Sequence, residues 1–137
     1  MSSKIDWIIH YCTNGVCDDC GKKESGFLPY VCNAHTHGMD KYGHMDFQIV
    51  LALSPEEVCR ILNTLAQRVQ AGERFVAGDY VSGIYLDCDI RLDEYEETGR
   101  RILRVVIPDR NNHYPEHHKC MYPYTLQLLK TDDLYQK

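Results

Sequence analysis

The sequence predicts an α+β fold, in which a mixed or antiparallel sheet of about five strands packs against one main amphipathic helix. Two neighbouring segments carry this prediction. An apolar run at residues 47–53 is typical of a buried central strand, and a helix with a clear start signal follows it directly. The 137 residues are enough for a single domain with one core.

The predicted helix has a well-marked beginning and end. Ser54 is a suitable N-cap, Pro55 occupies the first helical position, and Glu57 completes a capping box. Gly72 is expected to end the helix. Apolar residues recur at helical spacing on one face, which we expect to pack on the sheet: Val58, Ile61, Leu62, Leu65 and Val69.

Four further segments are predicted to be strands, at residues 27–37, 84–92, 101–107 and 122–129. Strict alternation of apolar and polar side chains at residues 84–92 indicates a half-buried strand. A turn is expected at residues 96–99, and a long polar loop at residues 109–120. These segments and the central run make up the five strands.

The charge and the termini restrict the class of protein. The chain has 15 Lys and Arg against 20 Asp and Glu, a formal charge of −5, which disfavours binding to nucleic acid or to an anionic membrane. No apolar run is long enough to span a bilayer, and the first residues lack a secretory signal. A cytoplasmic location is therefore expected. In a reducing compartment, seven cysteines favour metal ligands and buried thiols over disulfides, and Cys59 and Cys88 are expected to be inert core thiols.

The first 26 residues are polar and lack the periodicity of a helix or a strand, so a metal ion is the expected means of fixing this arm. Cys17 and Cys20 have the spacing of a zinc knuckle, and Cys32 and His35 repeat that spacing. The full pattern, C-x2-C-x11-C-x2-H, suits a closed tetrahedral zinc site of structural type. We therefore divide the single domain into a zinc-knuckle arm at residues 1–26, an α+β part at 27–130 and a tail at 131–137.

The fourth ligand of this zinc site is open to alternatives. His37 lies two residues after His35, on the same side of an extended chain, and could replace it. Cys120 and Cys12 are further competitors. A structural zinc ion can contribute on the order of 10 kcal/mol to folding, which is enough to order an arm that has no core of its own.

Four blocks of sequence resemble a known family: A-H-T-H-G-M, G-H-M-D-F-Q-I-V-L-A-L-S-P-E-E, I-L-N-T-L-A-Q-R-V-Q-A-G-E-R-F-V-A-G-D and I-L-R-V-V-I-P-D-R-N-N-H-Y-P. They span residues 34–115 and are similar to the DUF4262 family, an uncharacterised bacterial domain of unknown function. The resemblance implies an α+β domain and no particular activity. Many members have Y-T-I-G-L where this chain has H-T-H-G-M, so His35 and His37 mark a departure. That departure and the added Cys-rich arm point to a metal-binding branch.

Two classes of function follow from these residues. The first is a zinc-stabilised binding or interaction module without turnover, serving an unknown protein or small-molecule partner. The alternative is a metal-dependent hydrolase, whose ion His37 would hold with His44 or Asp46. No phosphate-binding loop, dinucleotide fingerprint or nucleophile elbow is present.

The loop at residues 108–115 is a second candidate site. Asp109 and Arg110 follow a strand that should be central, and loops held by such strands often carry binding groups. If the loop has a binding role, it is expected to share one pocket with the segment at residues 36–44, which includes His37 and His44. In the alternative interpretation, Asp109 caps backbone amides and the loop is scaffold.

Overall fold

The computed structural model describes residues 5–12, 15, 16, 23, 24 and 26–135. Within them the predicted α+β class is confirmed: one α-helix packs on a mixed sheet of six strands. The helix is α1 (Pro55–Gln70). The strands are β1 (Ile8–Cys12), β2 (Gly15–Val16), β3 (Lys23–Glu24), β4 (Val31–His37), β5 (Asp46–Leu51), β6 (Tyr80–Val81), β7 (Ile90–Glu97) and β8 (Arg100–Val106).

The six-stranded sheet has the order β1-β4-β5-β8-β7-β6, and β2 pairs with β3 apart from it. Neighbouring strands of the large sheet are antiparallel except β5 and β8, which run parallel. The parallel pair occupies the middle of the sheet because α1 and β7 lie between β5 and β8 in the chain and allow the return. Every residue of β5 is buried, as the apolar run predicts.

Helix α1 begins and packs as its sequence predicts. The Ser54 side chain accepts a hydrogen bond from the Glu57 amide at 3.2 Å, which satisfies one of the free amides of the first turn. The apolar face of α1 is buried against alternate residues of the central strands, among them Ala34, Phe47 and Leu103. This side of the sheet holds the main core.

The opposite side of the sheet has a mixed character. A small apolar cluster of Phe27, Val31, Val50 and Leu134 covers one part of it. Beside this cluster, buried polar side chains project from the central strands: Asn33, His35, Gln48 and Arg104. A C-terminal segment with two 3₁₀-helices, Tyr124–Leu128 and Thr131–Leu134, packs over this polar row and separates it from solvent. We call this side the polar face.

Three expected elements differ from the sequence prediction. The arm contains strand β1 and the short pair β2 and β3, although its sequence shows no strand periodicity. The strand expected at residues 84–92 lies instead at Ile90–Glu97, because β7 pairs with β8 across a tight turn at Thr98 and Gly99, both with positive φ. Leu86, an expected inward residue, is fully exposed. The last expected strand, at residues 122–129, is a 3₁₀-helix.

None of the helices in the described parts of the chain combines the length and the apolar character that crossing a membrane requires.

Candidate metal site

Three histidines meet on the polar face at the edge of the sheet. Strands β1 and β4 are antiparallel with His10 directly opposite His35, and His37 follows two residues later on the same side of β4. The ring centroids are 5.3 Å apart for His10 and His35, 4.6 Å for His10 and His37, and 4.9 Å for His35 and His37. One nitrogen from each ring lies within 4.8 Å of the others. We call these three residues the histidine cluster.

A chain of buried hydrogen bonds fixes the tautomer of His35. The Arg104 guanidinium can only donate, and its Nε lies 2.9 Å from Gln48, so Gln48 must accept through Oε1. The Nε2 of Gln48 therefore donates to Oδ1 of Asn33 at 2.9 Å. The same Oδ1 lies 3.0 Å from Nδ1 of His35, which must donate the proton. The Nε2 atom of neutral His35 is left with its lone pair, and metal-binding histidines usually have this kind of second hydrogen bond.

The electrostatic setting keeps His35 and His37 uncharged. Burial lowers the pKa of His35 to about 4, although the neighbouring Glu97 carboxylate opposes the shift. Partial burial, together with the charge of Arg100, also lowers the pKa of His37. Both rings are therefore neutral at pH 7, and neutral imidazole is the form that binds a metal ion.

A carboxylate lies beside the histidine cluster. Oε1 of Glu97 is 3.9 Å from Nε2 of His35 and 3.2 Å from Nε of Arg100. Burial by itself raises the pKa of Glu97, but hydrogen bonds from Thr98 and Arg100 and the charge of Arg100 outweigh that effect and lower it. Glu97 is therefore ionised and presents an anionic oxygen next to His35.

Of the four predicted zinc ligands, His35 is the one that the structure places in the histidine cluster. Cys17 and Cys20 lie outside the described residues. Cys32 and His35 are not brought together, because residues three apart in a strand face opposite sides of the sheet. The Cys32 thiol is buried under α1 and lies 3.5 Å from the carbonyls of Ile49 and Leu51. Burial raises its pKa to about 12, which disfavours the thiolate that a metal requires.

His44, a candidate ligand in the hydrolase alternative and a candidate pocket residue, is held by two hydrogen bonds. Its Nδ1 donates to the Met45 carbonyl at 2.7 Å, and its Nε2 accepts from the Phe75 amide at 3.0 Å. Both ring nitrogens are used, so His44 has no lone pair for a metal. His37 and His44 do line one cavity, of about 680 Å³, at the beginning of β5.

Asp109 and Arg110 lie at the other end of the sheet. Because β5 and β8 are parallel, the residues before β5 and those after β8 are separated by the length of the strands. Asp109 accepts hydrogen bonds from the amides of Asn111, His113 and Met121, each at 2.9 Å, which matches the alternative interpretation as a backbone cap. The structure therefore does not bring this loop into a pocket with His37 and His44.

The remaining cysteines show no metal arrangement within the described part of the chain. Cys120 and Cys12, the competing ligands, lie outside the histidine cluster. Cys59 is exposed on α1 and Cys88 is partly exposed, so neither is the core thiol that we expected. No pattern in the sequence marked His10 and Glu97 as site residues, because only the pairing of β1 with β4 and the β7–β8 hairpin bring them to His35.

The fold and the site together define an α+β sheet protein with a cluster of three histidines on its polar face. The chain belongs to the family described as Domain of unknown function (DUF4262), whose model matches residues 28–121. His35 and His37 lie within the matched region, and His10 precedes it. No curated protein and no solved structure matches the chain.

Proposed function

We propose that this protein is a zinc-binding module whose ion is held by His10, His35 and His37. The convergence of three imidazole nitrogens within 4.8 Å carries the proposal. Zinc–nitrogen bonds of about 2.0–2.1 Å in a tetrahedral shell would separate these nitrogens by about 3.4 Å. Small side-chain rotations bridge that difference, and His35 already has the required tautomer.

Glu97 is the fourth ligand in this proposal. Its 3.9 Å separation from Nε2 of His35 is close to the spacing of two ligands on one zinc ion. A shell of three imidazoles and one carboxylate is closed, which is the arrangement of a structural site. The ion would tie edge strand β1 to β4 and to the end of β7, and so hold the beginning of the chain on the sheet. The role is therefore a structural one in a protein that binds a partner.

The test is calorimetric titration of the chelator-treated full chain with zinc chloride. We expect one zinc ion per chain and about 100-fold weaker binding for His10→Ala, because each ligand of a structural zinc site contributes on the order of 3 kcal/mol. His10 is only partly buried, so this variant should fold. His118→Ala is the matched control, since His118 is exposed and lies outside the cluster, and its affinity should equal that of the wild type.

The same titration separates this ligand set from the C-x2-C-x11-C-x2-H set. If Cys17→Ser or Cys20→Ser abolishes binding while His10→Ala has no effect, the zinc-knuckle interpretation is right and the histidine cluster is not the site. Loss of binding in His10→Ala with both cysteine variants unaffected supports the proposal.

The hydrolase alternative remains a second proposal, with a changed ligand set. His44 would have to break one of its two hydrogen bonds before it could share an ion with His37. Asp46 is also engaged: its Oδ1 accepts from Thr36 and its Oδ2 from Arg100. In this alternative, the histidine cluster would hold the metal ion, and a water molecule would take the fourth ligand position in place of Glu97. Zinc-dependent hydrolysis of an activated ester that His10→Ala abolishes and Glu97→Ala retains would favour this alternative.

A further inference from the structure

A second cavity lies at the carboxyl ends of β5 and β8, away from the histidine cluster. It has a volume of about 320 Å³, which falls at the lower end of the range for small-molecule sites. Its floor includes Leu51 and Leu53, and aromatic rings of Tyr30, Tyr122 and Tyr124 stand around it. Tyr30 and Tyr122 contact each other edge to face, with centroids 5.8 Å apart. We call this space the tyrosine cavity.

Arg110 supplies the charge of the tyrosine cavity. Among the described residues that line the cavity, it is the one with a formal charge. It is exposed, and its guanidinium makes no hydrogen bond or ion pair with any described residue. This sets it apart from the arginines at residues 91, 100 and 104, which are engaged in ion pairs or buried hydrogen bonds. A planar guanidinium of this kind pairs in bidentate fashion with a carboxylate.

The loop that carries Arg110 is held rigidly. The buried Asp109 carboxylate binds three backbone amides of residues 111–121, and Asn112 adopts φ 64°, so the loop has a defined shape. Tyr30, on the other wall, also has a left-handed backbone, with φ 67°. Non-glycine residues in this conformation are uncommon and cluster at ligand sites, because the surrounding structure must offset their strain.

We infer that the tyrosine cavity binds a small aromatic carboxylate. The ring of the ligand would lie against the apolar floor and the tyrosines, and its carboxylate would accept two hydrogen bonds from Arg110. Aromatic rings prefer edge-to-face and offset contacts with one another, and the pair of Tyr30 and Tyr122 already has such geometry. The inference is independent of the metal site, since the two sites lie at opposite ends of the parallel strands.

The test follows amide NMR spectra of the nitrogen-labelled full chain during titration with phenylacetate. We expect saturable shifts at Tyr30, Leu53 and Tyr124. Phenylacetamide has the same shape without the charge and should bind at least about tenfold weaker, and cyclohexylacetate should also bind more weakly because it lacks the ring electrons.

The variant Arg110→Gln should weaken phenylacetate binding at least about tenfold and leave the free spectrum native away from the loop, because Arg110 has no described partner to lose. Arg101→Gln is the matched control, since its side chain is 75% exposed and it lies at the other end of β8. Its affinity should be unchanged. Failure of phenylacetate to bind, or equal affinity for phenylacetate and phenylacetamide, would overturn the inference, as would equal affinity of the wild type and Arg110→Gln.

Discussion

Replacement of Arg104 by Met tests how the buried polar network supports both the fold and the metal site. Arg104 is fully buried, with its guanidinium carbon 3.6 Å from the centroid of the Tyr95 ring. It donates to Oε1 of Gln48 at 2.9 Å, to the Gln127 carbonyl at 2.9 Å and to the Leu129 carbonyl. Burial lowers its pKa to about 10, so it is still charged at pH 7. The side chain thus joins the C-terminal segment to the sheet.

The expected loss of unfolding free energy in Arg104→Met follows from the hydrogen-bond acceptors that lose their donor. Each buried acceptor that loses its donor costs about 1–3 kcal/mol, and four acceptors are affected, one each on Gln48, Gln127, Leu129 and Thr131. The cost of burying the guanidinium disappears at the same time and offsets part of this loss. We expect a net destabilisation of about 3–5 kcal/mol, a large part of the 5–15 kcal/mol that is typical of a domain. Gln48 also becomes free to reorient, so zinc affinity should fall about tenfold or more.

Urea unfolding followed by circular dichroism gives the change in stability, and calorimetric titration of the folded variant gives the change in zinc affinity. Arg101→Met is the matched control, because it lies on the same strand with a largely exposed side chain. A destabilisation below about 1 kcal/mol would refute the structural role of Arg104. Unchanged zinc affinity in the folded variant would refute the step from Arg104 through Gln48 and Asn33 to His35.

Three further predictions concern local features of the fold. Ser54→Ala should lower the free energy of unfolding by about 1 kcal/mol, because the Glu57 amide loses its acceptor; an unchanged urea midpoint would contradict this. Gly38→Ala should cost about 1–3 kcal/mol, because φ is 126° and the new Cβ would lie 3.1 Å from Trp7; an unshifted melting temperature would refute the close approach. Burial raises the pKa of Asp109, but hydrogen bonds from backbone amides outweigh it and lower the pKa below its ordinary value. The ionised carboxylate therefore stabilises the fold above the pKa of the unfolded state, and this stabilisation is lost as the pH falls through the pKa of the folded state. In Asp109→Asn, urea midpoints should therefore decrease less steeply below about pH 5 than in the wild type. An equally steep decrease in both proteins would contradict this.

The elements predicted correctly from the sequence are those with local causes. The Ser54 N-cap and the helical spacing of apolar residues specify α1 without reference to any other segment. The apolar run of β5 likewise reflects burial on both sides of the sheet. The alternation at residues 84–92 gave a wrong position for this strand. The position of β7 at Ile90–Glu97 is set by its pairing with β8 and not by the pattern of its own side chains.

The histidine cluster could be predicted only in part. His35 and His37 could be recognised as a pair, because residues two apart in a strand have their side chains on the same face of the sheet. The same rule argues against Cys32 and His35 binding one ion, because residues three apart in a strand face opposite sides of the sheet. The C-x2-H spacing favoured that pair only because it fits a knuckle turn, and these two residues lie in a strand. His10 is 25 residues from His35 along the chain, and no local pattern announces that β1 pairs with β4. The network behind His35 depends equally on long-range packing of Gln48 and Arg104.

X-ray absorption at the zinc edge tests the central claim most directly, because it identifies the atoms that bind the ion. The sample is the full chain loaded with one equivalent of zinc. The proposed site predicts only nitrogen and oxygen neighbours, at about 2.0–2.1 Å, with the multiple-scattering pattern of about three imidazole rings. Two or more sulfur neighbours at about 2.3 Å would show that cysteines hold the ion, and would contradict its assignment to His10, His35 and His37.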